Sequence, residues 1–331
     1  MPESVMLGGL LEPGLRADAA YIYAPLYEGV RAQIGDVIWM EGTSDKFQEV
    51  FGFLEAPPYF AWWPAETAIP SDAMESQRFV IPNRDFGRRV NLPRNVEDDQ
   101  TGTAQAFARM IARTYAILPE EIFYQILQAG AYNSTTRPFP SVPNAIDGNA
   151  LYISTTRYGS TSGNVVTSTS TTTVQGIITD LMSCKRRFMD FQNTKSRPFW
   201  DPPMVNKLRV FYGTALTTVM SQAEFQTRVP WEQTSGANGT GQTPTNLLRE
   251  NGIDIKYTGS QRITDSQYYV WLRELPPYLR PIWRQVRKNY TEWQGNFVTS
   301  DMARNTGVTY VQGDCREGWL PIFVGGTVRV T

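Results

Sequence analysis

The sequence predicts an α+β fold organised around one long helix. Phe107, Met110, Ile111, Thr114, Tyr115 and Leu118 recur at helical spacing, and residues 174–191 repeat the pattern with Ile177, Ile178, Leu181, Met182 and Phe188. Short β-branched and aromatic runs at 208–211, 253–257, 268–272, 308–311 and 327–330 read as strands. Neither βαβ alternation nor an internal repeat orders them, so helices and strands segregate.

In chain order, residues 1–45 read as an extended arm. Pro and Gly recur there, Tyr21, Tyr23, Tyr27 and Trp39 are scattered along it, and 17–31 suits a short helix. Its aromatic content favours ordering on a partner over a solvated tail. Residues 46–95 form a long hairpin-like excursion. Residues 47–54 suit a strand or a short helix, and 79–81 and 86–92 read as extended, with Arg88 breaking the alternation. Between them, prolines at 57, 58 and 64 place Tyr59, Phe60, Trp62 and Trp63 in a loop. Each large apolar side chain left in water forgoes roughly 1.5–3 kcal/mol, so the cluster packs on its own body or on a neighbouring subunit.

An arginine-rich ribbon (Arg84, Arg88, Arg89, Arg94) then runs into Glu97, Asp98 and Asp99. Acids before a helix serve as caps and dipole partners. Here they also suit pairing with those arginines, in the same chain or another. A metal site would need further oxygen ligands that the sequence does not signal. Pro119-Glu120-Glu121 restarts the helix after 101–118, and Gly130 suits a stop, giving a kinked pair over 101–129. Residues 131–173 are turn-rich, and the polar run 154–173 suits a surface crossing. A third helix is expected over 214–225 and a long glycine-bearing loop over 229–246.

Composition bounds the function. Only 19% of the 331 residues are charged, 12% are aromatic, and there are nine Trp. So little charge beside so much aromatic area favours burial against other subunits. A net charge of −1 leaves no strong basic field for nucleic acid. Arg outnumbers Lys 25 to six, a bias that suits planar interface contacts as well as a GC-rich genome. No His is present, which excludes Ser-His-Asp and Cys-His catalysis and His-ligated metals. Gly236–Gly241 has P-loop glycine spacing, but Gln242 replaces the lysine and Pro244 follows. Gly159-Ser-Thr-Ser-Gly163 centres Thr161 where a nucleophile elbow needs Ser. Two unpaired cysteines, Cys184 and Cys315, suit a reducing compartment. Neither a signal peptide nor a membrane span is expected, and no catalytic, cofactor or metal residues are assigned.

The stretch 78–130 resembles the major head protein of Mu-like phages and prophages, within the Hong Kong 97 type capsid fold. The resemblance rests on Asn83, Phe86, Val90, Leu92, Arg94, Val96, Glu97, Asp98, Asp99 and Gly102, then Pro119, Leu127 and Gly130, with Asp147-Gly148 beyond. Weaker similarity runs through 182–205 and 306–330. Asn95 stands where the family has an acid, and the His that often follows the Asp-Gly turn is absent. The resemblance implies an N-terminal arm (1–45), an extended loop (46–95), a peripheral domain with the spine helix (96–173), an axial domain (174–304) and return strands (305–331). It also implies a major capsid protein that self-assembles into an icosahedral head around double-stranded DNA, through pentamers and hexamers. A portal, possible scaffold and cement proteins, and non-specific DNA contact would be its partners. Assembly in the host bacterial cytoplasm and residence in the virion follow. The subunit-contact candidates are Tyr59, Phe60, Trp62, Trp63, Arg84, Arg88, Arg89, Arg94, Glu97, Asp98 and Asp99. The rival readings are an encapsulin-like cargo shell, a non-capsid tail or binding protein, and a carboxylate-based hydrolase, which the absence of His and of catalytic motifs disfavours.

Overall fold

The computed structural model describes residues 24–31, 33–35, 41–46, 48–54, 76–93, 103–128, 145, 149–155, 163–192, 198–225, 248, 251–263, 266–295 and 308–331. The aromatic loop, Arg94, the acids at 97–99, the Asp147-Gly148 turn and the loop at 229–246 lie outside the described residues. The chain forms two compact units, drawn from Met1–Glu49, Val80–Phe123 and Ile282–Leu320, and from Val50–Phe79, Tyr124–Pro281 and Pro321–Thr331.

The first unit holds a four-stranded sheet of order β1-β9-β10-β4. Its strands are β1 (Glu41–Thr43), β4 (Arg84–Pro93), β9 (Ile282–Gly295) and β10 (Val308–Pro321). β1 runs parallel to β9, and β4 runs antiparallel to β10 over its full length. The helix α1 (Thr103–Gln128) covers one face. Ala108, Ile111, Ala112, Tyr115 and Ala116 pack there with Tyr290, Val311 and Cys315, and Tyr27, Phe86 and Val90 close the edges. Tyr115 stacks on Tyr290 at 4.5 Å. Gly313 makes that stack possible, because a Cβ there would stand 2.6 Å from the Tyr290 ring.

Two expectations change here. The pair of helices broken at Pro119 is a single helix with Pro119 inside it. An interior proline removes a hydrogen bond and costs about 3 kcal/mol. The apolar face runs through it, with Ala112, Tyr115 and Ala116 before it and Ile122 and Phe123 after it all buried, and offsets that loss. The strand at 308–311 is one end of a 14-residue strand, and its equally long neighbour β9 has no counterpart in the expected elements.

The second unit holds a sheet of order β5-β11-β8-β6-β7. Its strands are β5 (Val165–Val166), β6 (Lys207–Gly213), β7 (Asp254–Ser260), β8 (Tyr268–Leu272) and β11 (Thr327–Val330). All five residues of β8 and the last six of β6 are buried, which is why both read as continuous apolar runs. The helix α2 (Val174–Asp190) packs on α3 (Thr217–Phe225), β5 and β11. Thr173 caps α2 by accepting from the Gly176 amide at 3.1 Å.

Part of the predicted polar crossing at 154–173 is instead β5, parallel to β11. Asn164 recruits it. Its buried amide donates to the Leu151 carbonyl at 2.7 Å and accepts from the Ile153 amide at 3.0 Å. Gly163, the last residue of the elbow-like motif, is a close crossing where a Cβ would meet the Ile153 carbonyl. Pairing also overrides sequence adjacency. β9 joins the first unit beside β10, whereas β11, near the end of the return strands, joins β8 in the second.

A separate two-stranded ribbon pairs β2 (Gln48–Leu54) with β3 (Ser76–Pro82). Residues 47–54 are thus strand from 48 onward, not helix.

Candidate subunit interface

Phe86 and Val90 of β4 pack on the core beneath α1, and Asp85 and Arg89 lie on the opposite face of the strand. Phe86 and Val90 lie opposite Cys315 and Val311, and both pack on the core. Arg88 shares their face, opposite Gly313, yet is exposed. It makes no ion pair among the described residues. The other face carries its own pairings. Asp85 meets Arg316 at 3.3 Å, and Arg89 lies 3.6 Å over the Tyr310 ring. Asp314 binds Lys288 at 2.6 Å and accepts from Thr291 at 2.5 Å. Arg84, on the same face as Phe86, is half-buried opposite Glu317. Of the predicted contact residues, only Arg84, Arg88 and Arg89 are therefore placed, all on one edge strand. Tyr59, Phe60, Trp62, Trp63, Arg94, Glu97, Asp98 and Asp99 lie outside the described residues.

Sequence reasoning missed two buried polar groups in this unit. Arg284 and Glu317 form an ion pair at 2.6 Å with side-chain exposures of 2% and 0%. Trp319 donates to Glu317 at 3.2 Å, and Arg284 donates to the Tyr27 hydroxyl at 2.5 Å, tying the helical residues 24–31 to the sheet. Burial alone would push the Arg284 guanidinium down. Glu317, with Tyr27 and Tyr115, outweighs that and holds it well above its ordinary value. The second group joins Ser44, Asn83 and Gln285, all buried. Asn83 donates to the Ser44 hydroxyl and to the Lys46 carbonyl, each at 2.8 Å. Gln285 donates to the Asn83 side-chain oxygen at 2.9 Å and to the Ile81 carbonyl at 3.0 Å. Asn83 stood among the resembling residues, but nothing local announces its partners, which are distant in sequence.

Cys184 and Cys315 are free and buried, and burial pushes both thiols up, away from the reactive thiolate. No group of acids and cysteines among the described residues could hold a metal ion. No helix among them is long and apolar enough to cross a membrane.

Residues 22–137 match the family model of the Mu-like prophage major head subunit gpT. No curated protein matches the chain. Among solved structures, the capsid of cyanophage P-SCSP1u is similar at 12% identity and a TM-score of 0.52, over 90% of this chain and 87% of that one. The mature capsid of bacteriophage PhiM1 matches at 10% identity and 0.52, over 90% and 86%. The capsid of the empty GTA particle matches at 9% and 0.52, over 90% and 89%. The shared architecture is the Hong Kong 97 type capsid fold. The family match thus covers about a third of the chain, residues 22–137, and the capsid fold is shared over nine-tenths of it.

Proposed function

We propose that this chain self-assembles, as pentamers and hexamers, into the icosahedral head that encloses double-stranded DNA. The observation that carries the reading is the head-subunit match falling on a chain with a capsid fold. The arm and the β2–β3 excursion overlap neighbouring subunits, and residues 174–304 supply the loops that meet at the symmetry centres. Many modest contacts, repeated by symmetry, close the shell. Tyr59, Phe60, Trp62 and Trp63 bury against a neighbour. Arg84, Arg88, Arg89 and Arg94, with Glu97, Asp98 and Asp99, form the polar contacts around them. Exposed Val50 and Val80, on β2 and β3, support an apolar docking role for the excursion.

A portal joins one vertex, and scaffold or cement proteins assist where needed. Packaged DNA meets the inner face non-specifically, as suits a wall of near-zero net charge. Assembly takes place in the host bacterial cytoplasm, and the product resides in the virion. A cargo-enclosing, encapsulin-like shell is disfavoured by the match to a phage head subunit.

Negative-stain microscopy of the expressed protein tests the reading. Closed shells, or pentamers and hexamers, are expected, and a strict monomer under every assembly condition would refute it. Replacing Trp62 and Trp63 together with Ala is expected to reduce shell yield more than it lowers the subunit's melting temperature. Normal shells from that variant would make the aromatic loop local packing only.

A further inference from the structure

We infer that Ser44, Asn83 and Gln285 clamp the root of the β2–β3 excursion, and that Asn83 is a positioning residue for subunit assembly. The inference rests on the shell-subunit reading and names the residue that controls one of its contact elements. Among the described residues, β2 and β3 pair only with each other and join neither larger sheet. A two-stranded ribbon is marginal in water, so what holds its root decides how it is presented.

The geometry at the root is specific. Ser44 and Lys46 lie on the chain entering the ribbon, and Ile81 and Asn83 on the chain leaving it. One carboxamide, that of Asn83, ties the two ends together with both donors and its oxygen engaged. Gln285 then anchors the knot to β9, where the Ser44 amide also bonds the Val286 carbonyl at 3.2 Å. Gly318 on β10 keeps the space open. A Cβ there would stand 2.8 Å from Ile81 Cγ2, 2.9 Å from the Pro82 carbonyl and 3.0 Å from Gln285 Nε2. An apolar plug would hold the root as firmly but would let the strands slide. Buried hydrogen bonds fix direction, because a misaligned donor or acceptor is left unsatisfied.

The test compares Asn83→Ala with Val311→Ala, a core truncation in the same unit that leaves the clamp intact. Hydrogen exchange on unassembled subunits is read at the β2 and β3 amides, and shell yield and diameter are read by microscopy. Asn83→Ala is expected to speed exchange in the ribbon about tenfold, the factor expected from losing a buried hydrogen bond. It should also give fewer or irregular shells, while Val311→Ala does neither at comparable loss of melting temperature. Unchanged ribbon exchange, or shells of normal yield and diameter, would overturn the inference. So would an equal effect from Val311→Ala. If Asn83→Ala does not fold, Ser44→Ala, which removes one bond of the knot, is read by the same criteria. If the unaltered protein forms no shells, the proposed function falls, and the exchange measurement still decides the clamp.

Discussion

Each unit buries a carboxylate, and the two are stabilised differently. Glu317 in the first unit faces the guanidinium of Arg284, which in turn holds Tyr27. Asp180 in the second unit has no cation beside it among the described residues. It accepts from the Ser168 hydroxyl at 2.6 Å, the Thr169 amide at 2.8 Å and the Tyr268 hydroxyl at 3.1 Å. Neutral donors suffice where the acid needs only to pin a loop to α2. A full counter-charge is used where the group also fastens a peripheral segment to the sheet. The first unit thus spends its buried polar groups on holding extensions, the helical residues 24–31 and the β2–β3 root. The second places them within a self-contained core, where Phe211 and Trp271 meet edge to face at 6.1 Å.

The largest effect expected from breaking this contrast is at Glu317. Glu317→Ala strands a buried guanidinium and should destabilise the unassembled subunit by about 3–5 kcal/mol in urea unfolding. Replacing Arg284 by Met and Glu317 by Leu together should restore most of that loss, because neither charge is then buried alone. Without rescue by the double change, the pair would be more than a matched charge.

A smaller loss, about 2–3 kcal/mol, is expected for Asp180→Ala, which leaves three donors without their acceptor. If the units unfold in separate transitions, Glu317→Ala should shift one and Asp180→Ala the other. A common shift would merge the two units into one cooperative block. The smallest change expected is for Thr173→Ala, about 1 kcal/mol, from loss of the cap on α2. It should appear in the same transition as Asp180→Ala.

The second unit was the more legible in the sequence. β6, β8, β11 and α2 each carry a local pattern, an apolar run or a 3.6-residue period, that reflects their own burial. β9 was not legible. Its sequence, Ile-Trp-Arg-Gln-Val-Arg-Lys-Asn-Tyr, reads as polar and surface-exposed. Arg284 and Gln285 are nonetheless buried, because Glu317 and Asn83 supply the charge and hydrogen bonds that water would otherwise give. The same blindness applies to Val165–Val166, too short to signal a strand until Asn164 brings it to β11.

By itself, the sequence determined the α+β class, the long helix and the core strands. It also determined the resemblance at 78–130, because local periodicity and motif residues encode those directly. It set the arginines of β4 on an extended ribbon. Only the tertiary structure decided the partner of Arg89, since Tyr310 lies more than two hundred residues away. It also decided that Pro119 sits inside one helix, that β9 and β10 share a sheet, and that Asn83 closes the root of the excursion. Those outcomes depend on partners remote in the chain, and a buried polar group is stable only once such a partner has arrived.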